Sequence, residues 1–439
     1  MPTLADADTR EVEGTPHRGA AVYSGAGLLV LLVAGVAVGT LLAGTAAAEQ
    51  RVAGGLQQAV SGVPGLLGVA REATGLGSPV AAAVVLGLLG AALLLHGRRR
   101  LAGYVALTGI GAVVLGAGTA AVAAALGTRA PGEHTLSAAV AYGLLLVVLT
   151  PAVPPRWRRS AAAVAVALVV LVGLTRLALA DPPAPVLLGG ALGAGWLAVT
   201  TAAFGHRGRL AAAGPYRPVE AGRVRPARPA WPRAGALAAL WLLLLGALLG
   251  AGTLVTVAAV QRFDAAVTGW FVAIRTPLLT SVAGVFGALG DTPTVVAGAL
   301  TIAVLMTVAT RSARPVFLVV LVLGGELALF LVTAAVVGRP RPDVGHLGLL
   351  VPPTSSFPSG HVSATVCLYG LAALLAARRI ATGRRWPLVL VPVVAVACVG
   401  SARLYFGMHH PTDVLASLLF AVPWLLACLR LGPVPRDDG

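Results

Sequence analysis

Apolar runs long enough to cross a bilayer, with arginines crowded into the gaps between them, leave this chain few folds to choose from. In lipid the backbone N–H and C=O groups must bond to one another, so each run has to be a helix of about twenty residues. Such runs fall near 21–47, 79–97, 101–127, 136–153, 161–180, 185–203, 236–260, 292–310, 315–337, 361–377, 387–401 and 413–430. The chain is 57% hydrophobic and only 11% charged, with a mean hydropathy of +0.89. No water-soluble core hides that much apolar surface. The expected class is an all-α integral membrane protein with about twelve transmembrane helices.

The formal charge of +16 comes entirely from arginine. The arginines cluster at Arg98–Arg100, Arg156–Arg159, Arg207–Arg233, Arg311–Arg314 and Arg378–Arg385. Alternation through twelve spans puts all five clusters on one side, and the positive-inside rule makes that side cytoplasmic. Both termini then lie in the cytoplasm of a multi-pass protein of the cell (plasma) membrane. No basic face is interleaved with aromatics, so nucleic acid is not an expected partner. Cys367, Cys398 and Cys428 sit inside apolar segments, which suggests neither a disulfide framework nor a cysteine metal site.

Four regions follow from this pattern. Residues 1–20 form a polar cytoplasmic tail, which precedes a retained span rather than a cleaved leader. Residues 21–203 form a six-span membrane domain, 204–235 a basic cytoplasmic linker, and 236–439 a second six-span domain. The opposite face receives a loop near 49–78, turns at 128–135 and 181–184, the loop 338–360 and the turn 402–412. The segment 261–291, with Trp270, Phe271 and Phe286, reads as interfacial.

The chemistry-bearing residues all fall on that second face. Pro358-Ser359-Gly360-His361 opens the tenth span, where free N–H groups at a helix start receive an anion. Arg403, His409 and Asp413 lead into the twelfth. There the carboxylate can orient one ring nitrogen of His409 and leave the other free to attack. Gly338-Arg339-Pro340-Arg341-Pro342 follows the ninth, its prolines holding two guanidinium forks outside the helix. Each group has a plainer reading: a helix cap, a macrodipole carboxylate, a snorkelling arginine. Glu326 is a carboxylate inside the ninth span.

This set resembles the type 2 phosphatidic acid phosphatase (PAP2) superfamily, whose signature is K-x6-R-P, P-S-G-H and S-R-x5-H-x3-D, over about the last 200 residues. The second part is complete. The third has Arg403, His409 and Asp413 with Ala402 for the serine, and the first has Arg341-Pro342 with Ala334 for the lysine. The resemblance implies a six-helix PAP2-like bundle and a lipid phosphatase working at the extracytoplasmic face. In it His409 would attack phosphorus, Asp413 would orient His409, and His361 would protonate the leaving group. Arg341, Ser359, Gly360 and Arg403 would hold the phosphate. No metal or other cofactor is implied, and the partners would be a membrane lipid phosphate substrate and the bilayer, with the oligomeric state left open. The absent lysine removes a charge-assisted contact of about 1.5–3 kcal/mol; Arg339 is the nearest substitute. Phosphotransfer to an alcohol is an alternative, as is a non-catalytic scaffold or transporter derived from a phosphatase.

The first six spans carry an echo of this pattern. Pro131-Gly132-Glu133-His134, then Tyr142-Gly143, repeats the spacing of Pro358-Ser359-Gly360-His361, then Tyr369-Gly370. Arg176-Leu177 answers to Arg403-Leu404 and, after a one-residue gap, Trp196 to Trp424, but Asp181-Pro182-Pro183 brings no histidine. The first half therefore reads as a degenerate parallel repeat without a nucleophile.

Overall fold

A computed structural model describes residues 17–41, 46–204, 231–347, 355–380 and 385–432. Most of the polar tail and of the basic linker expected at 204–235 lies outside the described residues. Among those described, every regular element is helical: α1 (His17–Leu41), α2 (Ala46–Ser61), α3 (Leu66–Thr74), α4 (Pro79–Leu95), α5 (Arg99–Ala125), α6 (Glu133–Leu149), α7 (Pro155–Ala178), α8 (Pro183–Ala203), α9 (Trp231–Leu254), α10 (Ala258–Ala273), α11 (Pro277–Gly287), α12 (Thr292–Thr310), α13 (Arg314–Val337), α14 (Gly360–Ala377), α15 (Trp386–Tyr405) and α16 (Pro411–Leu431).

Among the described residues, ten helices are long and apolar enough to cross a membrane, and up to twelve spans result if each of two bent pairs counts as one. The chain is thus an all-helical, multi-span membrane protein. One detail differs from the sequence reading. The region near 49–78, expected as a loop, contains α2 and α3, because its alanine, leucine and glutamine favour helix. The first expected span is taken by α1, His17–Leu41. The expected interfacial segment is the pair α10 and α11, bent by 119°. Thr276 accepts from Leu279 N there and Pro277 begins the new helix, so the chain turns without leaving N–H groups stranded.

The chain divides into two compact units, one of residues 1–79 with 100–215, the other of 80–99 with 216–439. Helix α4 therefore belongs with the later helices: Leu88 packs against their core, and a Cβ at Gly298 of α12 would lie 3.3 Å from Val84 Cγ1. Within this unit the indole of Trp424 (α16) lies on Gly325 (α13), where an added Cβ would come within 2.2 Å of the ring. Only a residue without a side chain permits that approach. Trp424 Nε1 donates to Val322 O at 2.9 Å and Trp241 Nε1 to Gly325 O at 3.0 Å, so both indoles bond to main chain. These contacts fix α13 against α16. The C-terminal end of α13, the N-terminal end of α14, the C-terminal end of α15 and the N-terminal end of α16 then carry the candidate site.

Candidate active site

Helix α13 ends on Gly338, whose φ of 60° lets the chain turn. Arg339 and Arg341 follow, and Ser355–Ser359 lead into α14. The two segments are stitched together: Ser356 N donates to Arg339 O at 2.8 Å and Ser356 Oγ to Pro340 O at 2.9 Å. Ser359 N donates to Ser417 Oγ at 2.8 Å, and Ser417 Oγ lies 2.9 Å from Ser359 O. The start of α14 is in this way tied to α16. Glu326 of α13 is buried below it against the Ser363 hydroxyl. The ring of Phe330 closes over Gly360, where a Cβ would meet it at 3.1 Å.

His409 is 4% exposed. Its Nδ1 lies 2.7 Å from the Ser356 carbonyl, which can only accept, so Nδ1 carries a proton and, in the neutral ring, Nε2 carries the lone pair. Asp413 Oδ2 is 3.8 Å from the same Nδ1 and accepts from His410 N at 2.7 Å. The main-chain carbonyl of Ser356, which no side-chain pattern reveals, is thus the direct partner of the ring. His410 caps α16, and burial lowers its pKa below the ordinary imidazole value, with Asp413 opposing.

His361 stands at the first turn of α14 with Nε2 3.3 Å from Asp291 Oδ1. Arg403 Nη2 donates to the same Oδ1 at 2.7 Å and to Gly287 O at 3.0 Å. Burial by itself would raise the Asp291 pKa; the contact with His361 and the charge of Arg403 outweigh it and hold the carboxylate below its usual range. Arg341 donates to Met408 O at 2.6 Å. Burial pulls its pKa down, Asp413 pushes it back up, and Arg403 adds to the fall, which sets all three groups in one neighbourhood.

Beside His410 Nδ1, two buried polar atoms find no protein partner here, Ser359 Oγ and Arg403 Nε. Orphaned buried donors call for an explanation, and both belong to residues expected to hold a phosphate. Arg339 does otherwise. Its guanidinium lies between Asp413 Oδ1 at 2.5 Å and Asp264 Oδ2 at 2.6 Å, so it faces carboxylates rather than replacing the lysine missing at Ala334.

The geometry gathers His409, His361, Asp413, Arg341, Ser359, Gly360 and Arg403 at one end of the bundle. Asp264, Asp291 and Ser356 complete it, and none of the three stands out in the sequence. A helical membrane protein with a histidine and arginine cluster suited to an anion is the class defined so far. The comparisons narrow it: residues 315–435 match the PAP2 superfamily. It is 36% identical over 87 residues to the undecaprenyl-diphosphatase BcrC of Bacillus subtilis, covering 19% of this chain and 40% of that protein. It is 38% identical over 89 residues to a decaprenylphosphoryl-5-phosphoribose phosphatase of Mycobacterium tuberculosis (20% and 44%). A phosphatidylglycerophosphatase B of Bacillus subtilis is 32% identical over 118 residues (26% and 56%). The chain thus spans about half the length, or less, of the curated relatives it matches. A crystal structure of a transmembrane PAP2 type phosphatidylglycerolphosphate phosphatase from Bacillus subtilis is 26% identical, with a TM-score of 0.37 over 45% of this chain and 92% of that one.

Proposed function

We propose that the protein is a lipid phosphatase of the cell membrane, acting on a lipid phosphate or a polyprenyl pyrophosphate without a metal. The observation that carries this is the state of His409: Nδ1 is fixed on the Ser356 carbonyl, and Nε2 is left as the nucleophile. In the first step Nε2 attacks phosphorus and the bond to the lipid oxygen breaks, while His361 gives that oxygen a proton. In the second, water attacks the phosphohistidine, His361 takes the water proton, and the P–N bond breaks to release phosphate. Arg341, Arg403 Nε, Ser359 Oγ and the N–H of Gly360 hold the phosphoryl oxygens and meet the charge that grows on them. The arginine clusters support cytoplasmic termini and a site at the extracytoplasmic face, where lipid headgroups lie. The named activities of the matched relatives, all phosphatases of lipid-like phosphates, support this substrate class.

The test is phosphate release from phosphatidate and from a polyprenyl diphosphate by purified protein in chelator, beside His409→Ala. Release by the native protein and none by the variant is expected. Equal release from both would overturn the reading, and transfer of phosphate to an added alcohol in place of water would favour the phosphotransferase.

A further inference from the structure

The echo in the sequence of the first six spans has a counterpart in three dimensions, and each unit can be described by itself. In the N-terminal unit Tyr142 Oη donates to Leu76 O at 2.8 Å; in the C-terminal unit Tyr369 Oη donates to Leu289 O at 3.0 Å. Trp196 Nε1 donates to Thr108 O at 2.8 Å and its ring forbids a Cβ on Gly111, as Trp424 does with Val322 O and Gly325. Gly132 N donates to Pro185 O as Ser359 N does to Asp413 O. After each arginine the chain turns through a left-handed residue, Ala180 at φ 70° and Gly407 at φ 72°. The N–H that follows then returns to the arginine carbonyl, at 3.0 Å in both units. The paired residues stay in register but for a one-residue step between neighbouring pairs and a longer gap between the earlier and later helices. An Ala/Leu/Val-rich composition produces chance matches of letters, but not equivalent long-range hydrogen bonds in the same order.

The two copies differ at the anion site. Arg176 stands where Arg403 stands, but its Nε and Nη2 both bind Asp181 Oδ2 at 2.5 Å, whereas Arg403 Nε has no protein partner. Glu133 occupies the place of Gly360, and no histidine precedes Pro183. We infer that the N-terminal unit is an inactive copy of the C-terminal bundle, its phosphate site closed by Asp181 on Arg176 and by the second carboxylate of Glu133. The phosphate part rests on the reading of the C-terminal site. Binding of radiolabelled inorganic phosphate to the full chain tests it. One phosphate per native chain is expected, lost in Arg403→Ala and kept in Arg176→Ala; a Glu133→Gly/Asp181→Ala double variant should bind a second. Phosphate binding that survives Arg403→Ala and disappears in Arg176→Ala would overturn the closure, as would a folded double variant with no added site. If the double variant does not fold, Asp181→Asn takes its place under the same criterion. Failure of the native chain to bind any phosphate would count against the C-terminal reading, while the double variant would still decide the closure.

A separate observation concerns α10, which precedes the segment matched to the family. Asp264 is 1% exposed; its Oδ2 takes Arg339 Nη2 at 2.6 Å and Thr412 Oγ1 at 2.7 Å, and its Oδ1 takes Thr412 N at 3.1 Å. The same guanidinium holds Asp413 Oδ1, and the Arg339 carbonyl holds Ser356 N. One residue thus grips both the segment that binds His409 Nδ1 and the helix start that follows His409. We propose that Asp264, acting through Arg339, is a positioning residue for the His409 nucleophile, an inference that rests on the phosphatase reading. Asp264→Asn should lower kcat about 10- to 100-fold, the loss of one charge-assisted contact. KM and inhibition by inorganic phosphate should stay within about twofold, because the phosphate grip is untouched, and Asp264→Glu should recover most of the rate. A kcat within about twofold of native, or kcat and KM failing together with the unfolding temperature, would overturn the proposal. Labelling of His409 by diethylpyrocarbonate gives a reading without turnover. Faster labelling in Asp264→Asn is expected; an unchanged rate refutes the positioning even if the native protein releases no phosphate and the phosphatase reading fails.

Discussion

Asp291 offers the most exacting test of how the site works, because one oxygen contacts both the proposed acid His361 and the proposed phosphate ligand Arg403. Its Oδ1 lies 2.7 Å from Arg403 Nη2 and 3.3 Å from His361 Nε2. Asp291→Asn keeps the shape of the side chain and removes its charge, leaving a guanidinium 13% exposed that still donates to Gly287 O but faces no anion there. A hydrogen bond to a charged group contributes about 1.5–3 kcal/mol, and each 1.36 kcal/mol is tenfold in rate. The expected loss in kcat/KM is therefore about 10- to 150-fold. The assay is phosphate release from mixed micelles of phosphatidate, with the same substitution repeated in a His361→Ala background. If Asp291 acts through His361 as well as Arg403, the second loss will be smaller than the first, as contacting residues are not additive. A native rate in Asp291→Asn, or identical losses in both backgrounds, would refute this account. Because Asp291 is held below the usual carboxylate range, its share of stability is present above the unfolded pKa of about 3.9 and is lost only as pH falls through the lower folded value. It therefore contributes nothing to an acid limb of activity near neutrality.

Other outcomes follow from the packing. Gly325→Ala and Gly111→Ala each drive a methyl into a tryptophan ring, at 2.2 and 2.1 Å, and should lower the unfolding temperature through a strain of about 1–3 kcal/mol. Glu326→Gln retains a partner for Ser363 and should stay near native in thermal unfolding, whereas Glu326→Ala leaves that contact unmade and costs about 1–3 kcal/mol. Burial depresses the His410 pKa, so its neutral form contributes stability that is full above about 6.5 and is lost as pH falls through the lower folded value. His410→Gln should lessen the acid loss of unfolding temperature measured in detergent.

Helix positions and the candidate anion-binding residues were legible because each leaves a local mark: a run of apolar residues, a Ser-Gly before a helix, a histidine four residues before a carboxylate. What stayed hidden acts at long range. Asp264 and Asp291 are single acids in segments that precede the motif, and nothing local says that one will meet Arg339 and the other Arg403. The Ser356 carbonyl has no signature at all, since every residue has one. Arg275 is similar: its guanidinium binds Tyr405 O and Gly345 O, and so shapes the turn before His409, yet in sequence it is one more arginine at a helix end. The helices at 46–74 were missed because helix propensity without apolar periodicity looks like a loop when only spans are sought.

The place of α4 changes how the molecule can be divided. A fragment cut at the arginine-rich linker would begin cleanly by sequence, but it would leave behind the helix whose Leu88 packs on the core of that fragment and whose Val84 lies beside Gly298. Lipid chains can cover the exposed flank, since they are as apolar as the lost side chains, but they do not interlock with a glycine notch as a fixed valine does. Expressing the later helices alone therefore calls for carrying residues 80–99 along, grafted ahead of α9 or supplied as a separate peptide.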